Sequence, residues 1–251
     1  MRRRCDAAVS RAISTCFWRS DGIYPLVRHR RAGNADTGGG HDGYVDKFLG
    51  DVVMALWGAS APDPCHAINA ARGALLALRK VRAFNVDPRM RGKPALDLKI
   101  GLCSGPTVVG NVGAAKRFSY TAIGETINIA ARLEKVCADY ECGVIVYAHA
   151  CALLKENFLL CELDRVSIKG AHEPLAMFEL IGERKGASAA ACAYVAADAR
   201  ALRAYRTAPL PRPQRYGGRY NIRPPIAPRQ PRVMAEKAET LMLEKRSRRP
   251  I

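Results

Sequence analysis

No apolar run in these 251 residues approaches the ~20 needed for a membrane-crossing helix, so no transmembrane segment is expected. The opening MRRRCDAAVSRAIS is basic but lacks a sustained apolar core and a cleavage site, which argues against a signal peptide. Nine cysteines are present, yet none form Cys-x-x-Cys and no Cys/His pair has zinc-site spacing. Cys103, Cys137, Cys151 and Cys161 fall in apolar runs and read as small buried hydrophobes, which suits reduced thiols in a cytoplasmic protein. No internal repeat is visible. Excess acid is absent too: the net charge is +17, but it sits on the flanks. Residues 1–40 carry +5, residues 41–182 only +1, and residues 183–251 carry +11. A near-neutral middle does not describe a specific nucleic-acid interface, and the tails alone read as solvated charge.

What is present is a globular middle, with 49% apolar and 25% charged residues over the whole chain. Residues 1–40 show neither helical nor strand periodicity and are expected to be an irregular basic segment. From Gly43 the pattern turns regular. Tyr44 to Phe48 and Val52 to Trp57 read as a β-hairpin turning at Gly50-Asp51. Asp63-Pro64 is expected to start a helix running to about Phe84, with Asp63 as N-cap. Leu96 to Leu102 and Thr107 to Val112 read as two strands hinged on Ser104-Gly105-Pro106. Phe118 to Ile123 is a strand, followed by a helix to Cys137, then a strand at Val144 to Tyr147 and a short helix near His149 to Asn157. Strands near Leu159 to Ile168 and Leu175 to Ile181 close the unit. This is an α+β sheet with helices expected over one face. Beyond Gly182 come an Ala-rich helix (Ala187 to Tyr205), a Pro/Arg-rich stretch unable to build a core, and a short helix at Met234 to Lys245.

Two stretches carry residues suited to chemistry. In the helix after Gly124, Ile127, Ile129, Ala130, Leu133 and Val136 make a buried side, while Asn128 and Arg132, four apart, stack on one face. An amide and a guanidinium so placed can grip a phosphate or a ribose oxygen, although the same spacing also describes a solvated polar stripe. At the hairpin apex, Asp51 can hold a hard divalent cation, and Lys47 four residues earlier can reach a purine edge or a phosphate. The same two residues also suit an ordinary turn and a solvated strand.

Taken together, VDKFLGDVVMALWGA, KIGLCSGPTVVGNVG, FSYTAIGETINIAARLE and VSIKG occur in the order found in class III nucleotidyl cyclases. The stretch from Asp42 to Gly182 resembles the catalytic domain of a bacterial adenylate cyclase. The resemblance implies a ferredoxin-like cyclase homology domain over 41–182, incomplete at its N-terminus; by composition it is flanked by an irregular basic segment (1–40) and by the Ala-rich helix and Pro/Arg-rich, disordered tail expected over 183–251. It implies conversion of ATP to 3′,5′-cyclic AMP and pyrophosphate in intracellular signalling, with two divalent ions, Mg²⁺ or Mn²⁺. By the same resemblance Asp51 is a metal ligand, Lys47 and Thr121 meet the adenine edge, and Asn128 positions the ribose. Arg132 stabilises transition-state charge, Lys169 reaches the triphosphate tail, and Gly50 and Gly124 keep the backbone tight beside these groups. A head-to-tail homodimer with composite sites is also implied. Nothing in residues 1–40 resembles the family's first strand, which ends in a second metal-binding Asp; Asp6 has a suitable separation from Asp51 but unsuitable surroundings. The abrupt composition changes at Gly40–Asp42 and in the tail are those expected of a truncated or frame-shifted reading of a longer gene. The alternatives are a guanylate cyclase, against which Lys47 argues, and a catalytically inactive homology domain used for dimerisation or nucleotide sensing.

Overall fold

Val52-Val53-Met54-Ala55-Leu56-Trp57 is apolar at every position, and a strand of that kind is covered on both faces. The structure, a computed structural model, describes residues 9–19, 43–114, 117–166 and 175–207, and there all six side chains are buried. The elements are β1 (Val9–Arg19), β2 (Tyr44–Leu49), β3 (Val52–Trp57), α1 (His66–Asn85), β4 (Lys99–Ala114), β5 (Arg117–Ile123) and α2 (Glu125–Asp139). They continue with β6 (Val144–Tyr147), α3 (Ala148–Leu154), β7 (Phe158–Val166), β8 (Leu175–Glu183) and α4 (Ala189–Thr207). The strands form one sheet in the order β2-β3-β1-β4-β6-β8-β7, with β5 paired to β4. Pairing is antiparallel except between β4 and β6. The class is α+β, an open mixed sheet with helices packed on it.

Helices lie on both faces rather than on one, and alternation along β3 and β6 shows why. Val52, Met54, Leu56, Ile145 and Tyr147 share a core with Ile129, Ala130 and Leu133 of α2. Val53, Ala55, Trp57, Val144 and Val146 share the opposite core with Ala67, Ala70, Ala71 and Ala74 of α1. Successive strand residues point to opposite sides, so each apolar strand feeds two layers. On the first face α2 lies directly on β4. A Cβ at Gly101 would overlap the Ala130 carbonyl and the Glu134 amide nitrogen, and one at Gly105 would come 2.8 Å from Thr126 Oγ1.

The N-terminal segment corrects the sequence reading. Residues 9–19 are not irregular; they form β1, paired to β3 from Ser14↔Trp57 to Arg19↔Val52 and to β4 from Val9↔Val109 to Arg19↔Lys99. Its centre is polar yet fully buried, with Ser14 and Thr15 at 0% exposure. Burial of a hydroxyl is tolerated where partners are supplied, as they are for Ser14 but not, among the described residues, for Thr15 Oγ1. Ser14 Oγ lies 2.8 Å from His66 Nδ1 at the start of α1 and 2.5 Å from Ser104 Oγ of β4. Burial lowers the pKa of His66 below its usual 6.5, against a smaller opposing pull from Asp63. The folded state therefore favours neutral imidazole, and stability falls as pH drops through 6.5 towards the depressed folded value. Between pH 7.5 and 5 the Tm of the wild type is expected to fall more steeply than that of His66→Gln, as followed by circular dichroism.

Two other boundaries move. Helix α1 starts at His66, not at Asp63; the Asp63 carboxylate instead accepts from the Cys65 amide (2.8 Å) and Asn69 Nδ2 (3.0 Å). The two strands expected around Ser104-Gly105-Pro106 are one 16-residue strand, β4. Opposite β1, the edge of β4 is paired to β6 only over Ile100–Leu102 and to β5 only from Val108. Pro106 sits in that gap, where a missing N–H breaks no ladder bond. The stretches expected to be irregular at 20–40, the VSIKG block beyond Val166 with Lys169, the Pro/Arg-rich tail and its short helix lie outside the described residues.

Candidate active site

The β2–β3 hairpin closes at Gly50, whose φ of +64° is the left-handed conformation that glycine adopts without strain. This sets Asp51 at an exposed apex, one residue before the Val52↔Arg19 pair that ends β1. Lys47 lies on β2, beside a break in register: Val45 pairs with Ala55 and Lys47 with Met54, leaving Asp46 as an extra residue in a β-bulge. The bulge turns Asp46 inward, where its side chain is 2% exposed against 40% for Lys47. Asp46 Oδ2 accepts from Thr121 Oγ1 of β5 at 2.7 Å and lies 3.3 Å from Lys47 Nζ. Lys47 and Thr121, 74 positions apart, are thereby drawn to one carboxylate oxygen.

An aromatic clasp holds the same two strands together. Tyr44 of β2 and Tyr120 of β5 meet edge to face with centroids 6.2 Å apart. Tyr44 donates to the Tyr120 carbonyl (3.4 Å), and Tyr120 donates to the Ala59 carbonyl (2.7 Å). Partial burial pushes the Tyr44 phenol pKa up, and the nearby Asp46 carboxylate adds to the shift.

Helix α2 follows β5 directly. Thr126 Oγ1 donates to the Pro106 carbonyl (3.1 Å), tying the first turn to β4. With Ile129, Ala130 and Leu133 buried, Asn128 and Arg132 are both on the exposed side, as the four-residue spacing predicts. Gly124 differs from expectation: its φ of 164° is extended backbone open to any residue, and a Cβ there would make ordinary 3.5 Å contacts with Thr107. The fold thus unites Lys47, Thr121 and the Asn128/Arg132 helix in one contiguous β2–β5–α2 region and leaves Asp51 on the hairpin tip. Strand β1 itself contains no aspartate, and Asp6 lies outside the described residues. Among the described residues no group of three or more His, Cys, Asp or Glu is gathered for a metal. No helix among them is long and apolar enough to cross a membrane.

A family model described as the adenylate and guanylate cyclase catalytic domain matches residues 39–182, more than half of the chain. The chain belongs to that family. Among curated proteins it is 37% identical over 142 residues to adenylate cyclase 1 of Rhizobium meliloti, covering 57% of this chain and 21% of that protein. It therefore spans about a fifth of that relative's length. Among solved structures it is similar to the adenylyl cyclase CyaB of P. aeruginosa (TM-score 0.59, 21% identity, 72% of this chain and 100% of that one). It is also similar to the guanylate cyclase domain of RhGC from Catenaria anguillulae, solved in complex with GTP (TM-score 0.53, 20% identity, 70% and 100%). At these identities the structural likeness speaks for the cyclase fold alone.

Within this cyclase domain, the sequence reading missed Asp46. Its one visible signal is an acid beside Lys47 on a strand, which period-two alternation would place on the opposite face from the lysine. Only the bulge brings the two together.

Proposed function

We propose that the chain is an adenylate cyclase domain, converting ATP to 3′,5′-cyclic AMP and pyrophosphate. The observation that carries this reading is the convergence of Lys47 and Thr121 on Asp46, beside the helix that exposes Asn128 and Arg132. The ammonium of Lys47 is a donor suited to the N1 acceptor of adenine, and Thr121 offers an oxygen near its amino group. Asn128 holds the ribose. The 3′-oxygen attacks the α-phosphorus in line, its proton passes to solvent water, and the bond to the pyrophosphate oxygen breaks as pyrophosphate leaves. Arg132 neutralises charge that develops on the phosphate oxygens, and Lys169 binds the triphosphate tail. Reactions of this kind are accelerated chiefly by positioning and by fixed positive charge. A divalent cation such as Mg²⁺ is commonly held by one or two carboxylates with substrate phosphates and water, a demand Asp51 fits. When bound, two such ions (Mg²⁺ or Mn²⁺) supply acidification of the 3′-hydroxyl and neutralisation of the triphosphate.

Asp51 lies at the tip of the hairpin that carries Lys47, whereas Asn128 and Arg132 lie on α2, and we place the reaction between two chains, with Asp51 of one facing the α2 of the other. Exposed apolar side chains support this: Val45 and Leu49 on β2, Val108 on β4, and Phe118 and Ile123 on β5. Such a surface favours association. A head-to-tail homodimer would give two equivalent sites. An inactive homology module is the second reading, supported by the lack of any aspartate in β1. The test is to supply the purified chain with ATP and Mn²⁺, with GTP in parallel, and to measure cyclic nucleotide by chromatography. Cyclic AMP in excess over cyclic GTP is expected. Nucleotide binding without product would establish the inactive module, and preferential cyclic GTP would overturn the adenylate assignment.

A further inference from the structure

The Asp46 side chain is more buried than those of Lys47, Asp51 and Arg132, and the cyclase reading gives it no task. Its surroundings suggest one. A threonine hydroxyl can donate or accept, so by itself Thr121 does not distinguish an amino group from a carbonyl on a purine. An ionised carboxylate only accepts. With Thr121 Oγ1 2.7 Å from Asp46 Oδ2, the single hydroxyl hydrogen is committed to Asp46 and only lone pairs remain for a ligand. The same oxygen lies 3.3 Å from Lys47 Nζ, which restrains a flexible ammonium as a donor beside that acceptor. Acceptor next to donor is the complement of adenine, whose amino group donates and whose N1 accepts. It opposes guanine, whose O6 accepts and whose N1–H donates.

We propose that Asp46 is the positioning residue that sets base selectivity, by fixing Thr121 as an acceptor and Lys47 as its neighbouring donor. This rests on the reading of Lys47 and Thr121 as purine-edge residues. It makes a prediction that reading alone does not: selectivity passes through a residue that touches no nucleotide. The bulge at Asp46 is essential to the device, because regular alternation would turn Asp46 and Lys47 to opposite faces.

The test uses the full chain and two probes that cannot cyclise, 3′-deoxy-ATP and 3′-deoxy-GTP, titrated with Mn²⁺ by calorimetry. In Asp46→Asn the amide can donate to Thr121 and let its hydroxyl turn round to face the ligand as a donor. The adenine-over-guanine affinity ratio is expected to fall by about tenfold, the scale of one hydrogen bond made or opposed. Asp97→Asn, which changes an exposed acid outside β2 and β5, is expected to keep the wild-type ratio. A thermal melt accompanies each variant; if Asp46→Asn gives no cooperative melt, Asp46→Ser carries the same prediction. A ratio within threefold of wild type, or both affinities lowered equally, would overturn the role of Asp46 while leaving the cyclase reading intact. A wild-type chain that binds neither probe would instead refute the cyclase reading, and this inference with it.

Discussion

Arg132→Ala is expected to lower cyclic AMP formation by about 10³-fold, the scale of losing a charge aimed at a phosphoryl transition state. The fold should be untouched, because Arg132 is exposed on α2 while Ile129, Ala130 and Leu133 hold the helix down. Asp51→Ala is expected to be equally inactive for a different reason, loss of the metal ligand proposed at the hairpin tip. The informative experiment is to co-express the two variants. If Asp51 and Arg132 act across a dimer, a mixed pair contains one doubly damaged site and one intact site. Random pairing makes half the dimers mixed, so about a quarter of wild-type activity should return. Continued inactivity of the mixture, with mixed dimers shown by mass spectrometry, would exclude a composite site. Full activity in either single variant would remove that residue from the mechanism.

Gly101→Ala is the substitution expected to damage stability most. The methyl group would overlap the Ala130 carbonyl and the Glu134 amide nitrogen, backbone atoms that yield only if α2 lifts from the sheet. Overpacking of this severity costs about 3 kcal/mol. For a chain of this size that corresponds to a Tm lower by about 6–12 °C. Gly182→Ala is the control. Nothing lies within 4 Å of a Cβ there, and its Tm should stay within about 2 °C of wild type. An unchanged Tm for Gly101→Ala would mean that α2 does not lie against β4 as described.

Much of this protein could be read from the chain because its apolar residues keep regular periods. The unbroken VVMALW run declares a doubly covered strand, and the spacing from Ile127 to Val136 declares a helix with Asn128 and Arg132 on its wet side. Four blocks in register declare the family. Periodicity reports only how apolar side chains divide between core and water, and it fails where burial is polar. Strand β1 was invisible because Ser14 and Thr15 look like surface residues; Ser14 is buried only because His66 and Ser104, 52 and 90 positions away, answer its hydroxyl. Gly105-Pro106 looked like a hinge because local rules cannot know that no described strand pairs with that edge of β4 at that point.

The fate of Asp46 shows the same division most sharply. Residue order by itself settled that a cyclase domain is encoded, which helix and hairpin carry its polar groups, and where its apolar strands lie. Folding in three dimensions determined that an acid one residue from Lys47 would turn inward and take the hydrogen of Thr121. A hydrogen bond between distant strands depends on register and on a single bulge, and neither leaves a period in the chain.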